Sequence, residues 1–303
     1  MTVAKKFRNL LYSDKLEFLL EAHNAVSAKI VEQTGFKGIW ASGLSISTSI
    51  GYRDSNEICL SQLLQIIEYM ADATSIPILL DADTGFGNFN NARILVRKLE
   101  QRKIAAVCIE DKIFPKLNSF INSQNQKLAD IGEFCGKIKA MKDTQNDPDF
   151  AVVARTESFI TGKTLDEALT RASMYQQAGA DAVLIHSKKK DSNEIAAFMR
   201  NWNNSCPVII VPTTYYTTPV SQFENMGIKM IIWANQMIRT SITHMRRNAE
   251  IIRHLQSVTA VENEIVKLDE LFRLQDMNEL LNAEKRYLQY DITRDDLIKT
   301  DSN

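Results

Sequence analysis

The sequence predicts an α/β fold, a (β/α)8 TIM-type barrel followed by a C-terminal helical arm. Three observations carry that expectation. Eight short, near-continuously apolar runs recur along the chain, amphipathic stretches lie between them, and the eight units fill about 255 of the 303 residues. Strands buried on both faces read as unbroken apolar runs rather than alternating ones, and eight strand–helix units in roughly 250 residues is the usual length of such a barrel. A doubly wound open sheet also alternates strands with helices. It ranks second, because no Gly-rich dinucleotide turn follows the first run.

The strands are expected at residues 19–23, 38–41, 77–81, 105–110, 150–155, 182–186, 207–211 and 228–233. A helix is expected over residues 58–70, where Leu63, Leu64, Ile66, Ile67 and Met70 share one stripe. Thr164-Leu165-Asp166-Glu167 reads as a capping box opening a helix over residues 165–178, and Gly179 supplies its stop. The pattern breaks at residue 256. Residues 261–288 are apolar-periodic and charge-laced with no intervening strand, as expected of a helical arm packing on the barrel or on a second subunit. The expected division is therefore residues 1–255 for a catalytic barrel and 256–303 for the arm. The last dozen residues, rich in Asp and Thr, are expected to fray.

Composition narrows the partners. The chain is 45% hydrophobic and 24% charged, with 36 basic against 37 acidic residues and a net charge of −1. That balance offers no field for nucleic acid or anionic lipid, so the expected partner is a small molecule. No segment reaches the roughly 20 apolar residues of a membrane span, and the first eight residues are polar and basic without an apolar signal core. Cys59, Cys108, Cys135 and Cys206 are scattered, as reduced thiols of a cytoplasmic protein would be, and Cys108 sits in an apolar run as a small core residue.

In a parallel barrel, functional groups lie at the carboxyl ends of the strands. Here those positions read Trp40-Ala41-Ser42-Gly43-Leu44, Asp81-Ala82-Asp83, Glu110-Asp111-Lys112, Arg155, and His186-Ser187. Carboxylates converging on one face repel unless a cation neutralises them, and oxygen ligands without a Cys or His cluster select Mg²⁺ or Mn²⁺. Mg²⁺ keeps several waters, so one direct ligand is expected. Asp81, which ends its strand, is the choice. Any one of these acids alone would read as a helix cap or a partner of a surface lysine. Arg155 emerging from a buried strand calls for an anion, either a ligand or a salt-bridge partner, the neighbouring Glu157 or a barrel-top acid. His186 is a core histidine or, beside Arg155, an anion-facing group. Ser42-Gly43-Leu44 reads as a loop whose backbone N–H groups could hold an oxyanion. Lys188-Lys189-Lys190 reads as a solvated loop face.

Residues 112–127 show no period and are too long for an ordinary strand–helix connection. A lid at the barrel mouth is expected, with Lys116 and Asn118 as its polar fingers and Phe114-Pro115 as the mark of a shaped segment.

The stretch from Glu110 through Asp111, Lys112, Ile113, Phe114, Pro115, Lys116, Leu117 and Asn118 to Ser119 resembles the gating-loop signature of the phosphoenolpyruvate mutase family, in the isocitrate lyase superfamily. The similarity extends over residues 35–47, 79–93 and 232–235 and covers nearly the whole chain, to about residue 288. It implies interconversion of phosphoenolpyruvate and phosphonopyruvate, the step that makes a phosphorus–carbon bond at the entrance to phosphonate biosynthesis. It also implies a last barrel helix exchanged between subunits of a homodimer or homotetramer. By position, Asp81 resembles the direct Mg²⁺ ligand, with Asp54, Asp83 and Glu110 holding metal-bound waters. Ser42 and the backbone of Gly43 and Leu44 would grip the carboxylate and enolate oxygens, and Trp40 would wall the pyruvoyl pocket. Arg155 and His186 would face the phosphoryl group, joined by Lys116 and Asn118 as the lid closes. Asp54 is the candidate carrier if transfer is covalent, but a dissociative route is favoured.

Three other readings compete. A phosphonopyruvate hydrolase shares most of the site, but threonine tends to stand at the position of Asn118 in that subfamily. A carbon–carbon lyase of the methylisocitrate type needs a lid cysteine where this chain has Pro115-Lys116-Leu117-Asn118-Ser119. A catalytically silent binding barrel would have lost strand-end ligands that are all present here.

Overall fold

The structure, a computed structural model, describes residues 1–203 and 206–288. Eight parallel strands form one barrel: β1 (Glu17–Ala22), β2 (Ile39–Ala41), β3 (Ile78–Asp81), β4 (Ala106–Glu110), β5 (Ala151–Thr156), β6 (Ala182–Ile185), β7 (Val208–Ile210) and β8 (Met230–Trp233). Each pairs with the next and β8 pairs with β1, Phe18 standing opposite Ile231 and Leu19 opposite Ile232. The closed ring excludes the open-sheet alternative. Every strand coincides with an expected apolar run to within a few residues.

The runs are unbroken because both faces are buried. Alternate side chains point inward, Leu19, Trp40, Leu79, Cys108, Val153, Leu184, Ile209 and Ile232 among them, and fill the interior. The intervening residues, such as Ile39, Ile78, Val107 and Val152, pack beneath the helices. In chain order the helices are α1 (Val3–Leu11), α2 (Ala25–Gln33), α3 (Gly43–Ser49), α4 (Leu60–Ala73), α5 (Phe89–Gln101), α6 (Ile131–Thr144), α7 (Leu165–Gln177), α8 (Asn193–Asn201), α9 (Val220–Asn225) and α10 (Gln236–Leu255).

Helix α1 is the element that the polar N-terminus concealed. Thr2 caps it, accepting from the Lys5 N–H at 3.1 Å, and Phe7 and Leu11 are buried within the interior cluster of the barrel. Its basic residues face outward to Ser75 and Asp181. In α4, Leu63, Leu64, Ile67 and Met70 are buried as their stripe requires. The capping box of α7 is only half formed. Thr164 accepts from the Glu167 N–H at 3.2 Å, but the Glu167 carboxylate takes Arg171 at 2.7 Å instead of returning to the cap. Gly179 ends that segment with φ of +107°, a conformation side chains rarely adopt.

The chain divides into two compact units, Met1–Ile242 and Thr243–Asn303, the division falling inside α10. In the second unit, the expected helical stretch is broken into α11 (Thr259–Glu262), α12 (Leu268–Leu274) and α13 (Met277–Tyr287). Val266, Leu268, Phe272, Leu280 and Leu281 there are exposed. The last dozen residues, expected to fray, lie outside the described residues. Among the described residues no helix is long and apolar enough to cross a membrane. All four cysteines are free, Cys108 inside the barrel as expected.

Candidate active site

The polar strand ends meet in one cavity at the carboxyl face of the barrel. Trp40, Ser42, Leu44, Asp54, Asp81, Lys116, Asn118, Arg155 and His186, all singled out by sequence, line it together. Gly43, Asp83 and Glu110 lie against this group. Ser119, Phe120, Thr213 and Asn235 complete the wall.

Ser42-Gly43-Leu44 is not a loop but the start of α3. Ser42 is its cap, accepting from the Ser45 N–H at 3.3 Å. The Gly43 N–H points at Asp81 Oδ2, 3.4 Å away. A side chain at Gly43 would crowd the acids, since a Cβ there would lie 3.2 Å from Asp83 Oδ1 and 3.3 Å from Asp81 Oδ2.

The acids form two groups, each organised around a cation. In the first, Lys116 from the lid stands between Asp54 at 2.8 Å and Asp83 at 2.7 Å. Asn118 donates to the other Asp54 oxygen at 2.6 Å. Asn56 ties the lid to strand β3's loop, donating to Asp83 at 2.7 Å and accepting from the Lys116 N–H at 2.7 Å. Asp83 has φ of +52°, a turn conformation that aspartate tolerates and that aims its carboxylate at Lys116. Burial, with Asp81 and Asp54 nearby, pushes Asp83 up to about 7 despite Lys116. Burial also raises Asp81. Burial works against the charge of Asp54 too, but Lys116 and Asn118 hold it below the usual carboxylate range.

The second group lies deeper. Arg155 donates to Glu157 at 2.6 Å and to Ser119 at 3.0 Å, and meets His186 Nδ1 at 2.8 Å. The neighbour-pairing reading of Arg155 is therefore correct in part, and Glu157 is its counter-ion. Lys112, at the root of the lid, is buried. It reaches the Leu117 carbonyl at 2.8 Å, Ser119 at 2.9 Å, and Glu110 and Glu157 both at 3.2 Å. Burial opposes the charge of Glu157, but Arg155, Lys112 and His186 keep its carboxyl well below the usual range. Burial and Arg155 lower His186, so its imidazole is neutral near pH 7. In the neutral ring Nδ1 accepts from Arg155 and the proton sits on Nε2, which has no hydrogen-bond partner.

A hard cation fits this donor set. Glu110 is 1% exposed and faces Lys112 and, at 3.4 Å, Arg155, but neither of its oxygens accepts a hydrogen bond. Buried acceptors left open beside carboxylates raised by burial are what an ion carrying its own waters would satisfy. Among the described residues no three acidic, histidine or cysteine side chains gather closely enough to hold an ion by themselves. The fit is thus to one direct ligand with water-mediated partners, not to a closed cage.

The lid is folded over the mouth with its polar groups inward. Phe120 meets His186 edge-on, ring centroids 5.5 Å apart, and Gln126 closes the loop by donating to the carbonyls of Asn118 at 2.8 Å and Ile121 at 2.7 Å. Outward it shows Ile113, Phe114, Leu117 and Ile121. Lys188 is not solvated, unlike its neighbours. Half-buried, it donates to Ser123 of the lid at 2.5 Å and to the Ile160 carbonyl at 2.8 Å.

Sequence reasoning did not single out Asn56, Lys112, Ser119 or Phe120 for roles of their own. Asn56, with φ of +58°, follows Asp54-Ser55, and three such turn-forming residues in a row were the available signal. Lys112 and Ser119 stood inside a recognised motif, but their partners reach as far as 45 positions away.

Residues 7–253 match the family described as phosphoenolpyruvate phosphomutase. The chain is 56% identical over 283 residues to the phosphoenolpyruvate phosphomutase of Tetrahymena pyriformis, covering 93% of this chain and 94% of that one. A crystal structure of phosphoenolpyruvate phosphomutase from Streptomyces platensis subsp. rosaceus superposes with a TM-score of 0.92 at 43% identity, over 94% of this chain and 99% of that one. A phosphonopyruvate hydrolase solved with oxalate and Mg²⁺ superposes with a TM-score of 0.90 at 36% identity, over 95% and 100%.

Proposed function

The chain belongs to the phosphoenolpyruvate phosphomutase family, and from that premise we propose that it interconverts phosphoenolpyruvate and phosphonopyruvate. The phosphoryl group moves between the enolate oxygen and C3 of the same substrate, so a phosphorus–oxygen bond is exchanged for a phosphorus–carbon bond. The observation that carries this reading is the lid. Lys116, Asn118 and Ser119 enter the cavity that Arg155 and His186 line, where a lyase-type lid would need a thiol.

Asp81 would hold Mg²⁺ directly, with Asp54, Asp83 and Glu110 acting through water; Mn²⁺ would suit the same oxygens. The ion would supply Lewis-acid stabilisation of enolate charge. Ser42 and the backbone N–H groups of Gly43 and Leu44 grip the carboxylate and enolate oxygens, and Trp40 bounds the pyruvoyl group. Arg155 and the open Nε2 of His186 hold the phosphoryl oxygens. Asn118 and Lys116 fix the group between its two acceptor atoms, where transfer needs positioning and positive charge more than covalent help. Asp54 is a poor carrier, since both its oxygens are occupied by Lys116 and Asn118 and its basicity is lowered. This favours the dissociative route. The lid excludes water, which would otherwise divert the phosphoryl group to phosphate.

Phosphorus NMR of the enzyme with Mg²⁺ and phosphonopyruvate tests the assignment. Phosphoenolpyruvate should appear, and chelation of the metal should abolish it. Phosphate and pyruvate without phosphoenolpyruvate would instead assign a hydrolase.

The functional division follows residues 1–255 as catalytic barrel and 256–303 as arm, in a cytoplasmic homodimer or homotetramer. Leu16, Phe18, Phe36 and Trp233 line an open groove on the barrel, Phe18 and Trp233 stacked at 6.3 Å, and a helix from another copy would cover it. Sedimentation at micromolar concentration should give a dimer or larger. A monomer would refute the assembly.

A further inference from the structure

Lys188 stands two residues beyond His186, in the connection between β6 and α8. Its side chain is half-buried and its ammonium has two oxygen partners from two other loops. Ser123 Oγ, at 2.5 Å, belongs to the lid after β4, and the Ile160 carbonyl, at 2.8 Å, belongs to the turn after β5. Both partners are uncharged, and among the described residues no carboxylate pairs with Lys188. A lysine whose charge is spent on two neutral acceptors is poorly explained as a surface ion pair. It is well placed as a fastener. Ile160 is buried, so the contact to its carbonyl holds Lys188 in place whether the lid is up or down. Ser123 is the contact that lid motion would break.

We infer that Lys188 is a positioning residue that latches the closed lid through Ser123, and so decides whether the phosphoryl group returns to enolate or is lost to water. The inference rests on the mutase reading above. The latch acts at the far end of the lid from Lys112, whose ammonium secures the Leu117 carbonyl and Ser119 near its start. Between these two fasteners lie Asn118 and Phe120, the residues that seal the cavity over Arg155 and His186. With one fastener gone, the lid opens more often during the lifetime of the separated enolate and phosphoryl group. Water oxygen then bonds phosphorus, one water proton ends on C3 of the enolate, and pyruvate and phosphate leave.

The test compares product partition from phosphonopyruvate in wild type, Lys188→Met, Lys188→Arg and Ser123→Ala, each with Mg²⁺, by phosphorus NMR. A charge-assisted bond of this kind is worth about tenfold in the closed-to-open ratio. Lys188→Met should therefore lower kcat about tenfold and raise the phosphate-to-phosphoenolpyruvate ratio by about the same factor, while Lys188→Arg restores both. Ser123→Ala keeps the Ile160 contact and removes only the lid side, so it should reproduce the change in partition with an unaltered melting temperature. The double variant Lys188→Met/Ser123→Ala should be no worse than Lys188→Met alone. If wild type yields phosphoenolpyruvate but Lys188→Met and Ser123→Ala leave the partition unchanged, the latch is refuted and the mutase reading stands. If wild type yields no phosphoenolpyruvate, the mutase reading itself has failed.

Discussion

Glu157 is the residue on which the deeper half of the site depends, and Glu157→Gln isolates its charge without changing its volume. One carboxylate oxygen faces Arg155 Nε at 2.6 Å and His186 Nδ1 at 3.0 Å; the other faces Lys112 at 3.2 Å and the Ser119 hydroxyl. An amide cannot serve both sides. Whichever way the Gln side chain turns, its NH₂ confronts either Arg155 or Lys112, and neither of those groups can accept a hydrogen bond. The charges also cease to balance. Arg155 and Lys112 are matched by Glu110 and Glu157, and losing one carboxylate leaves one uncompensated positive charge among buried groups. Breaking a buried pair in this way costs about 3–5 kcal/mol, which in a chain of this size lowers the melting temperature by about 5–8 °C. Arg155 and His186 lose their alignment as well, and displacement of about 1 Å at such groups costs about a hundredfold in kcat. The Glu157 carboxyl is depressed in the folded state, so its contribution is complete above the carboxylate pKa of the unfolded chain, about 4.3. The stability gap between wild type and variant should be full at pH 6–8 and should close as pH falls through the folded-state value. Calorimetric melting across pH, with phosphorus NMR turnover at pH 7, makes the comparison. A variant melting within about 1 °C of wild type with unchanged kcat would refute the account of Glu157 as the charge that holds Arg155 and Lys112.

Two further substitutions probe the upper half. Asn118→Ala removes the donor to Asp54 and the acceptor for the Phe120 N–H. It should lower kcat by about 10²–10³ while Mg²⁺ affinity, measured by calorimetric titration, changes less than about threefold; equal losses in both would contradict its place on the lid. Gly43→Ala should weaken Mg²⁺ binding by about tenfold, because the new Cβ presses on Asp81 and Asp83, and should leave the melting temperature nearly unchanged. Unaltered affinity would mean the acids have room to move.

The barrel was legible because its signal is local. Each strand is an unbroken apolar run, and the polar residue ending each run marks the catalytic face. Asp81, Asp83, Glu110, Arg155 and His186 could be placed on that rule alone. Asp54 could not. It lies on an irregular segment between α3 and α4, and only the resemblance pointed to it. Glu157 and Lys112 were visible in sequence, but their importance comes from each other, 45 positions apart, and from His186, 29 positions beyond Glu157. Lys188 was misread for a related reason. Three consecutive lysines look solvated, and nothing local says that one of them turns inward to a lid 65 residues earlier. Helix α1 was missed because its amphipathic face is carried by only a few apolar side chains among basic ones.

The lid has its amphipathy inverted. Closed, it buries Lys116 and Ser119, half-buries Asn118 and leaves Ile113, Phe114, Leu117 and Ile121 exposed to solvent. A segment that shuts by burying apolar surface carries a large negative heat-capacity change and tightens on warming from the cold. This one should not. Its closing is charge pairing and hydrogen bonding set against lost chain entropy, so the heat-capacity change of closure should lie near zero and the enthalpy should favour the shut form. The seal over the substrate is therefore held by heat release, and it loosens as temperature rises long before the barrel beneath it melts.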